Sequence, residues 1–280
     1  MKGTLSRRGL LVGAGHAAAF GALAAALPRH VSAQDAEESA ILFSMLYPNK
    51  PDGKFDSDYY SNKLVPLVRS LYGSAVERIE LCEPHMANMP KAPKNFAAGQ
   101  SHSPSDPPAR RGPPPPVVRA ATRIWIADAK AFSAAATANG GKLATALNAM
   151  TDITPTVQYE RDVDVRGDAR NAIEVGAQVS STWFPTEDGK TFDAKYYGEK
   201  IIPLMVQLYG AKAIRRVEFS LGSAPAGTQP PLTAAVHYNI RDRMAWNMAG
   251  MQAGMKLMAE GPKYTTMKPV MGDMVVSAVG

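Results

Sequence analysis

Cysteine and histidine are scarce in this sequence, and their scarcity excludes several kinds of site. Only one of the 280 residues is a cysteine and five are histidines. Cys82 has no partner for an intrachain disulfide, and its place at the end of a predicted strand favours a buried, inert thiol. His85 and His102 have no His-x-His or Cys-x-x-Cys spacing beside them, so we predict no metal site.

The chain also has little excess charge once the N-terminal segment is excluded. The twin arginines Arg7 and Arg8 precede an apolar run over residues 10–27, and residues 31–33 resemble a small-residue cleavage site. We interpret residues 1–33 as a twin-arginine signal peptide. A membrane anchor is the alternative, but alanine and glycine make the run weakly hydrophobic. Cleavage removes four basic residues and no acidic one, which lowers the formal net charge from +6 to +2.

These features define the expected compartment and partners. No later run approaches the length of a transmembrane helix, so we predict a periplasmic or secreted protein with no membrane attachment after signal cleavage. The mature chain has no basic patch with interleaved aromatic residues, so we exclude nucleic acid as a partner.

One pattern in the chain occurs twice. A Phe-Asp-x-x-Tyr-Tyr-x-x-Lys motif begins at Phe55 and again at Phe192. A Leu-Tyr-Gly motif ends at Gly73 and again at Gly210, with the same offset of 137 residues. A constant offset over many matched positions indicates a duplicated structural unit.

Each copy has the pattern strand, helix, strand, strand, helix, strand. Apolar runs of strand length predict the strands Ile41–Tyr47, Val76–Cys82, Val117–Ile126, Thr156–Val163, Val179–Phe184, Ile214–Ser220, Leu232–Ile240 and Val270–Val279. The predicted helix N-caps are Asp56, Asp128, Asp193 and Asp242. Pro66 lies inside the first helical pattern and should kink or divide that helix.

The two copies differ mainly in one connection. In their closing halves the offset falls to 114, as between Asp128 and Asp242. The change places the length difference at residues 83–116, a proline-rich insertion that we interpret as an irregular surface loop. The predicted organisation is a signal peptide at 1–33, a first repeat at 40–165, a linker at 166–177 and a second repeat at 178–280.

Three motifs point to a known family. They are Leu46-Tyr47-Pro48-Asn49-Lys50, the repeated Phe-Asp-x-x-Tyr-Tyr block, and the segment 262–269, Pro-Lys-Tyr-Thr-Thr-Met-Lys-Pro. Together they resemble the EthD family of the dimeric α+β barrel class, in which two ferredoxin-like βαββαβ units from separate chains enclose a barrel. The resemblance implies that both units lie in this one chain as an intramolecular pseudo-dimer. Most members of the family have no assigned reaction, and no residue pattern here requires a further homo-oligomer.

Strand alternation then predicts which side chains face the barrel interior. One face of each sheet covers the helices and the other faces inward. Val236 and Tyr238 suit the helix side, which leaves His237 inward; the same argument applies to the other strands. The predicted interior set is Arg78, Glu80, Arg123, Trp125, Arg216, Glu218, His237 and Asn239.

This set is capable of proton-transfer chemistry. A histidine beside a carboxylate acts as a general base near neutral pH, so we assign catalysis to His237 and Glu218. The other six are candidate ligand-binding residues, because arginines stabilise an enolate or carboxylate as it forms. The alternative is structural: Arg78–Glu80 and Arg216–Glu218 are symmetric ion pairs that satisfy a polar interior, and His237 is a hydrogen-bonded core residue.

Three functions remain open from the sequence. The first is a cofactor-free lyase or isomerase that acts on a small aromatic or carbonyl compound. The second is a haem enzyme, because some haem peroxidases share this barrel class and twin-arginine export. Their Gly-x-x-Asp-Gly signature is absent, since Asn49 and Pro185 occupy the position of its first glycine. The third is a non-catalytic binding or assembly module whose own side chains fill the barrel.

A row of five methionines at helical spacing is the last feature: Met244, Met248, Met251, Met255 and Met258. Thioether sulfur is a soft ligand that suits copper. Core packing explains the row more simply, because methionine fills irregular gaps between helix and sheet. We therefore expect these side chains to be buried.

Overall fold

The computed structural model describes residues 41–85, 117–224 and 229–280. The predicted signal peptide and residues 86–116 of the predicted insertion, His102 among them, lie outside these ranges. The described chain has the element order βαββαβ twice, in agreement with the sequence pattern.

The first unit contains β1 (Ile41–Pro48), α1, β2 (Val76–Pro84), β3 (Val118–Ile126), α2 (Ala129–Met150) and β4 (Thr156–Gly167). Helix α1 has the contiguous segments Ser57–Tyr59, Tyr60–Leu64 and Val65–Tyr72. The second unit contains β5 (Gln178–Pro185), α3, β6 (Ile214–Ser223), β7 (Leu232–Ile240), α4 (Arg243–Tyr264) and β8 (Val270–Val279). Helix α3 has the segments Ala194–Tyr196, Tyr197–Ile201 and Ile202–Ala213. All eight predicted strands are present.

The four helices begin where the sequence places them. Each has an aspartate N-cap whose carboxylate accepts a hydrogen bond from the backbone N–H three residues later. The four are Asp56, Asp128, Asp193 and Asp242. Such a cap satisfies one of the N–H groups that a helix leaves unpaired at its first turn.

Helices α1 and α3 each contain a π turn just before a proline. The turns are Tyr60–Leu64 and Tyr197–Ile201, and Pro66 and Pro203 follow in the first turn of the next α segment. Proline cannot donate a backbone hydrogen bond and clashes with the carbonyl four residues back, so a wider turn accommodates it. The interruption predicted at Pro66 is therefore a π turn rather than a division of the helix.

The eight strands form one closed antiparallel barrel in the order β1-β3-β2-β8-β5-β7-β6-β4. The last strand of each unit pairs with the other unit: β8 with β2, and β4 with β6. These two pairings between the units close the barrel within one chain. The predicted fold class, an α+β pseudo-dimer of two ferredoxin-like units, is confirmed.

Apolar side chains form a core between the sheet and the helices of each unit. One cluster packs β1–β4 against α1 and α2 around Phe43 and Phe132. A second packs the other unit against its helices around Tyr197 and Phe219. Burying each such aromatic side chain contributes about 1.5–3 kcal/mol. No helix in the described ranges is both long and apolar enough to cross a bilayer.

The prediction that the methionine row packs in the core is wrong. All five side chains lie on the outer face of α4 and are 53–87 % exposed. The opposite face of the helix packs inward with Trp246, Ala253 and Leu257. The row was misassigned because α4 has two apolar faces with the same spacing, and periodicity alone does not say which one meets the sheet.

Candidate functional site

All eight predicted interior side chains are buried, none being more than 9 % exposed. The strand registers bring them together as cross-strand neighbours. The pairs are Arg78–Trp125 and Glu80–Arg123 in the first unit, and Arg216–Asn239 and Glu218–His237 in the second. Arg123 and His237 therefore occupy equivalent positions in the two units, so the two halves of the barrel are chemically different.

Five of these residues form a continuous ion-pair array across the barrel: Arg78, Glu80, Arg123, Glu218 and Arg216. Arg78 Nε donates to Glu80 at 2.6 Å, and Arg216 Nε donates to Glu218 at 2.7 Å. Arg123 joins the two halves, because it donates to Glu218 through Nη2 and lies 3.6 Å from Glu80 through Nη1. The predicted symmetric ion pairs are thus present. The array itself has three arginines and two glutamates, and a third buried glutamate, Glu160 on β4, accepts a hydrogen bond from Ser220.

The segment between β4 and β5 covers the ends of this array. Arg216 Nη1 donates to the carbonyl oxygen of Asp168 at 2.7 Å, and Arg78 donates to that of Ile173. The Arg170 guanidinium lies 4.8 Å from the centre of the Trp125 ring. These residues fall within the predicted linker 166–177. Sequence reasoning missed them because an irregular segment has no periodicity that shows which side chains turn inward.

The pKa values of Glu80 and Glu218 shift in opposite directions, although the two residues occupy equivalent positions in the two units. Burial alone would raise the pKa of Glu218, but the charges and hydrogen bonds of Arg123 and Arg216 outweigh it and hold this pKa well below its usual range. Burial raises the pKa of Glu80, because Arg123 and Arg78 compensate it less and the charge of Glu218 opposes its ionisation. The ionised form of Glu218 is therefore favoured, held between Arg123 and Arg216.

His237 is a buried, uncharged imidazole. Burial, with the charge of Arg123 in addition, lowers its pKa well below 6.5, and the nearby Glu218 only partly opposes this shift. Its Nδ1 lies 2.9 Å from the hydroxyl of Ser181, and the ring of Trp183 meets it edge-on. When Nδ1–H donates to Ser181, Nε2 carries the free lone pair. Ser181 was not predicted, although its inward place on β5 follows from the same alternation.

Replacing His237 by glutamine is expected to flatten the pH dependence of stability. Because the folded-state pKa lies below the unfolded value near 6.5, the unfolded chain binds the extra proton, and stability falls as the pH drops below about 6.5. Between pH 7.5 and 5.0 the wild type should lose about 2 kcal/mol more than His237→Gln. Urea unfolding at both pH values measures this. Identical losses in His237→Gln and wild type would contradict the assignment.

Three buried donors inside the barrel have no acceptor among the described residues. They are Arg123 Nε, Trp125 Nε1 and Gln158 Nε2. Arg123 and Gln158 flank Ser44 in one row across β1, and the Arg123 guanidinium stacks 4.5 Å above the Trp125 ring. Leaving a buried donor unpaired costs about 1–3 kcal/mol. This corner of the interior is therefore suited to an acceptor oxygen of a bound molecule.

Another part of the interior is apolar. An internal cluster fills it: Cys82, Val118, Ala121, Ile173, Val179, Trp183, Leu232, Ala235, Met274 and Val276. Burial raises the pKa of the Cys82 thiol to about 12, which confirms the predicted inert thiol. Two cavities, of about 430 and 490 Å³, lie beside Phe192 and Ala194 after β5, and neither includes any of the eight predicted residues.

Comparison with known proteins adds information on the fold alone. No protein-family model matches the chain, and no curated protein matches it. Similar solved structures include an EthD-like protein from Ralstonia eutropha, 20 % identical, with a TM-score of 0.32 over 36 % of this chain and 91 % of that one.

Two further structures match most of the chain. An anthrone oxidase-like protein is 12 % identical, with a TM-score of 0.43 over 88 % of this chain and 94 % of that one. A mutant chlorite dismutase from Candidatus Nitrospira defluvii is 8 % identical, with a TM-score of 0.39 over 85 % and 92 %. These likenesses are too distant to carry an activity across. The described chain is an α+β barrel whose interior holds a buried ion-pair array and a neutral histidine.

Proposed function

We propose that this protein binds a small oxygen-bearing organic compound, aromatic or carbonyl, inside the barrel and transfers a proton at His237. The observation that supports this most is the pairing of a neutral imidazole with unpaired donors, Arg123 Nε and Trp125 Nε1, in one buried interior. Nearly all buried polar groups in native proteins are hydrogen-bonded. A purely structural ion-pair network would therefore not explain two buried donors that lack acceptors.

The proposed chemistry needs no oxidant and no cofactor. A carbonyl oxygen of the ligand would accept from Arg123 and Trp125, beside the ion-pair array. His237 would take a proton from the carbon next to that carbonyl, and the electron pair of the C–H bond would move into an enolate. The arginine and indole donors stabilise the enolate oxygen. When the ligand is a β,γ-unsaturated carbonyl compound, the enolate is a dienolate, and return of the proton to its γ-carbon completes a double-bond isomerisation.

A non-catalytic binding module is the second candidate. The internal apolar cluster supports it, because ten side chains already occupy much of the interior. In this alternative the ion-pair array specifies the packing of the two units and His237 is a core residue held by Ser181. Export remains part of both proposals, and N-terminal sequencing of the secreted protein would test cleavage after Ala33.

The proposal is tested by ligand stabilisation together with hydrogen exchange at carbon. Small phenols, quinones, lactones and ketones are screened by thermal unfolding, and a binder at a hundredfold excess over its Kd should add about 2.7 kcal/mol of stability. The hit is then incubated with the protein in D₂O, and deuterium incorporation is followed by NMR. We expect exchange in wild type and His85→Ala, and a loss of about a hundredfold or more in His237→Ala.

The outcomes separate the two candidates. A stabilising compound that His237→Ala still binds but no longer exchanges supports proton transfer by His237. Binding without exchange in the wild type would favour the non-catalytic module. No stabilisation by any compound, with His237→Ala merely less stable, would refute ligand binding by these residues and make His237 a core residue.

A further inference from the structure

The outer face of α4 consists of thioether side chains without a packing partner in the described chain. The five methionines follow one another at spacings of four, three, four and three residues, and each is at least 53 % exposed. The other exposed positions among these residues are polar, charged or small: Asn247, Gln252, Lys256 and Ala259. Every large apolar residue on this face is therefore a methionine.

The fold does not require methionine here. Helix α2 occupies the equivalent place in the first unit, and the corresponding residues are Lys130, Ala134, Thr137, Gly141 and Ala144. Two helices of the same length and position thus differ in this one property. Leucine would make this face equally apolar, but the face contains no leucine. The property that distinguishes the row is therefore the sulfur atom of methionine.

The row is short for a helix-pairing surface. Its fifteen residues span about 21 Å along the axis, or two heptads, whereas a coiled coil is expected to need about three to four. A second copy of the chain is therefore less well supported than a small ligand.

We propose that this methionine face binds Cu(I) through thioether sulfurs. Thioethers are soft, neutral ligands that select Cu(I) over harder cations. Residues one turn apart on a helix have Cβ atoms about 5–6 Å from each other, and the three rotatable bonds of methionine let their sulfurs converge on one ion. Three consecutive methionines supply a three-sulfur site, and Met251 belongs to each of the three consecutive triads.

The test is competition for Cu(I) with a chromophoric chelator under anaerobic, reducing conditions. We expect the purified protein to withdraw at least one Cu(I) per chain. Met251→Leu should weaken binding by more than about tenfold, because loss of a direct ligand should exceed the effect of losing an outer-shell partner. The substitution keeps size and apolarity at a site that is 80 % exposed, so the fold is retained. Met271→Leu, at an exposed methionine on β8, is the matched control and should bind as wild type.

Four results would overturn the proposal. The first is that the protein takes no Cu(I) from the chelator. The second is equal affinity in Met251→Leu and wild type. The third is loss of binding in Cys82→Ala, which would assign the metal to the buried thiol. The fourth is a wild type that binds no Cu(I) and forms a dimer in sedimentation analysis that Met251→Glu disrupts, which would assign the face to a second copy of the chain.

Discussion

Replacing Arg123 by methionine is expected to destabilise the protein by about 3–5 kcal/mol, the usual cost of removing one partner from a buried ion pair. Arg123 lies between two buried carboxylates, contacting Glu218 directly and Glu80 at 3.6 Å. Without it no cation lies between the carboxyl groups of Glu80 and Glu218, and the charge of Glu218 disfavours ionisation of Glu80. Urea unfolding at pH 7 measures the loss, which is large beside a typical total stability of about 5–15 kcal/mol.

A surface ion pair supplies the matched control. Arg166 forms hydrogen bonds to Asp164 with a side chain that is 41 % exposed, so Arg166→Met should cost about 0–1 kcal/mol. If charge is the cause, adding Glu80→Gln to Arg123→Met should recover part of the lost stability, because it removes the repulsion. Equal costs for Arg123→Met and Arg166→Met would show that the ion-pair array does not hold the barrel together.

Glutamine substitutions at the two equivalent glutamates are expected to differ strongly. Glu218→Gln leaves Arg123 and Arg216 buried without their shared carboxylate and should cost about 3–5 kcal/mol. Glu80→Gln also leaves Arg78 without its carboxylate, but it should cost less than Glu218→Gln. Burial already disfavours the ionised form of Glu80, and Arg123 keeps its contact with Glu218. Both residues are 2 % exposed, so the chemical change and the burial are matched.

The direction of the pKa shift of Glu218 determines the pH at which the two variants should be compared. The folded-state pKa of Glu218 lies below its unfolded value near 4.3, so its stabilisation is complete above that pH and is lost as the pH falls. Unfolding at pH 7 therefore measures the whole effect, and acidification below pH 4 should narrow the gap between Glu218→Gln and wild type. A larger cost for Glu80→Gln than for Glu218→Gln at pH 7 would contradict the assigned asymmetry.

Much of the fold was predictable because it is encoded in local patterns. Apolar runs of strand length and four aspartate caps predicted all eight strands and the starts of the helices. The eight interior residues were also predictable, because side chains on a strand alternate strictly between its two faces. His237 and Arg123 were placed inward on this argument, and both are buried there.

The pairing across the barrel was not predictable. Contacts such as that of Arg123 with Glu218 join residues 95 positions apart. Their geometry depends on how β4 and β8 pair with strands of the other unit. Ser181 and the backbone of Asp168 reach the site for the same reason. Periodicity also did not predict that the methionine row is exposed, because a helix with two apolar faces has the same spacing on both.

The sequence by itself determined the duplicated βαββαβ order, the caps and the inward faces, since these depend on neighbours within a few residues. Tertiary structure alone decided the proton affinities and the exposed surface. Glu80 and Glu218 are the same residue at equivalent positions, yet their pKa values shift in opposite directions because different arginines surround them. Electrostatic energy in a buried site depends on distances between charges from distant parts of the chain, and only the closed barrel sets those distances.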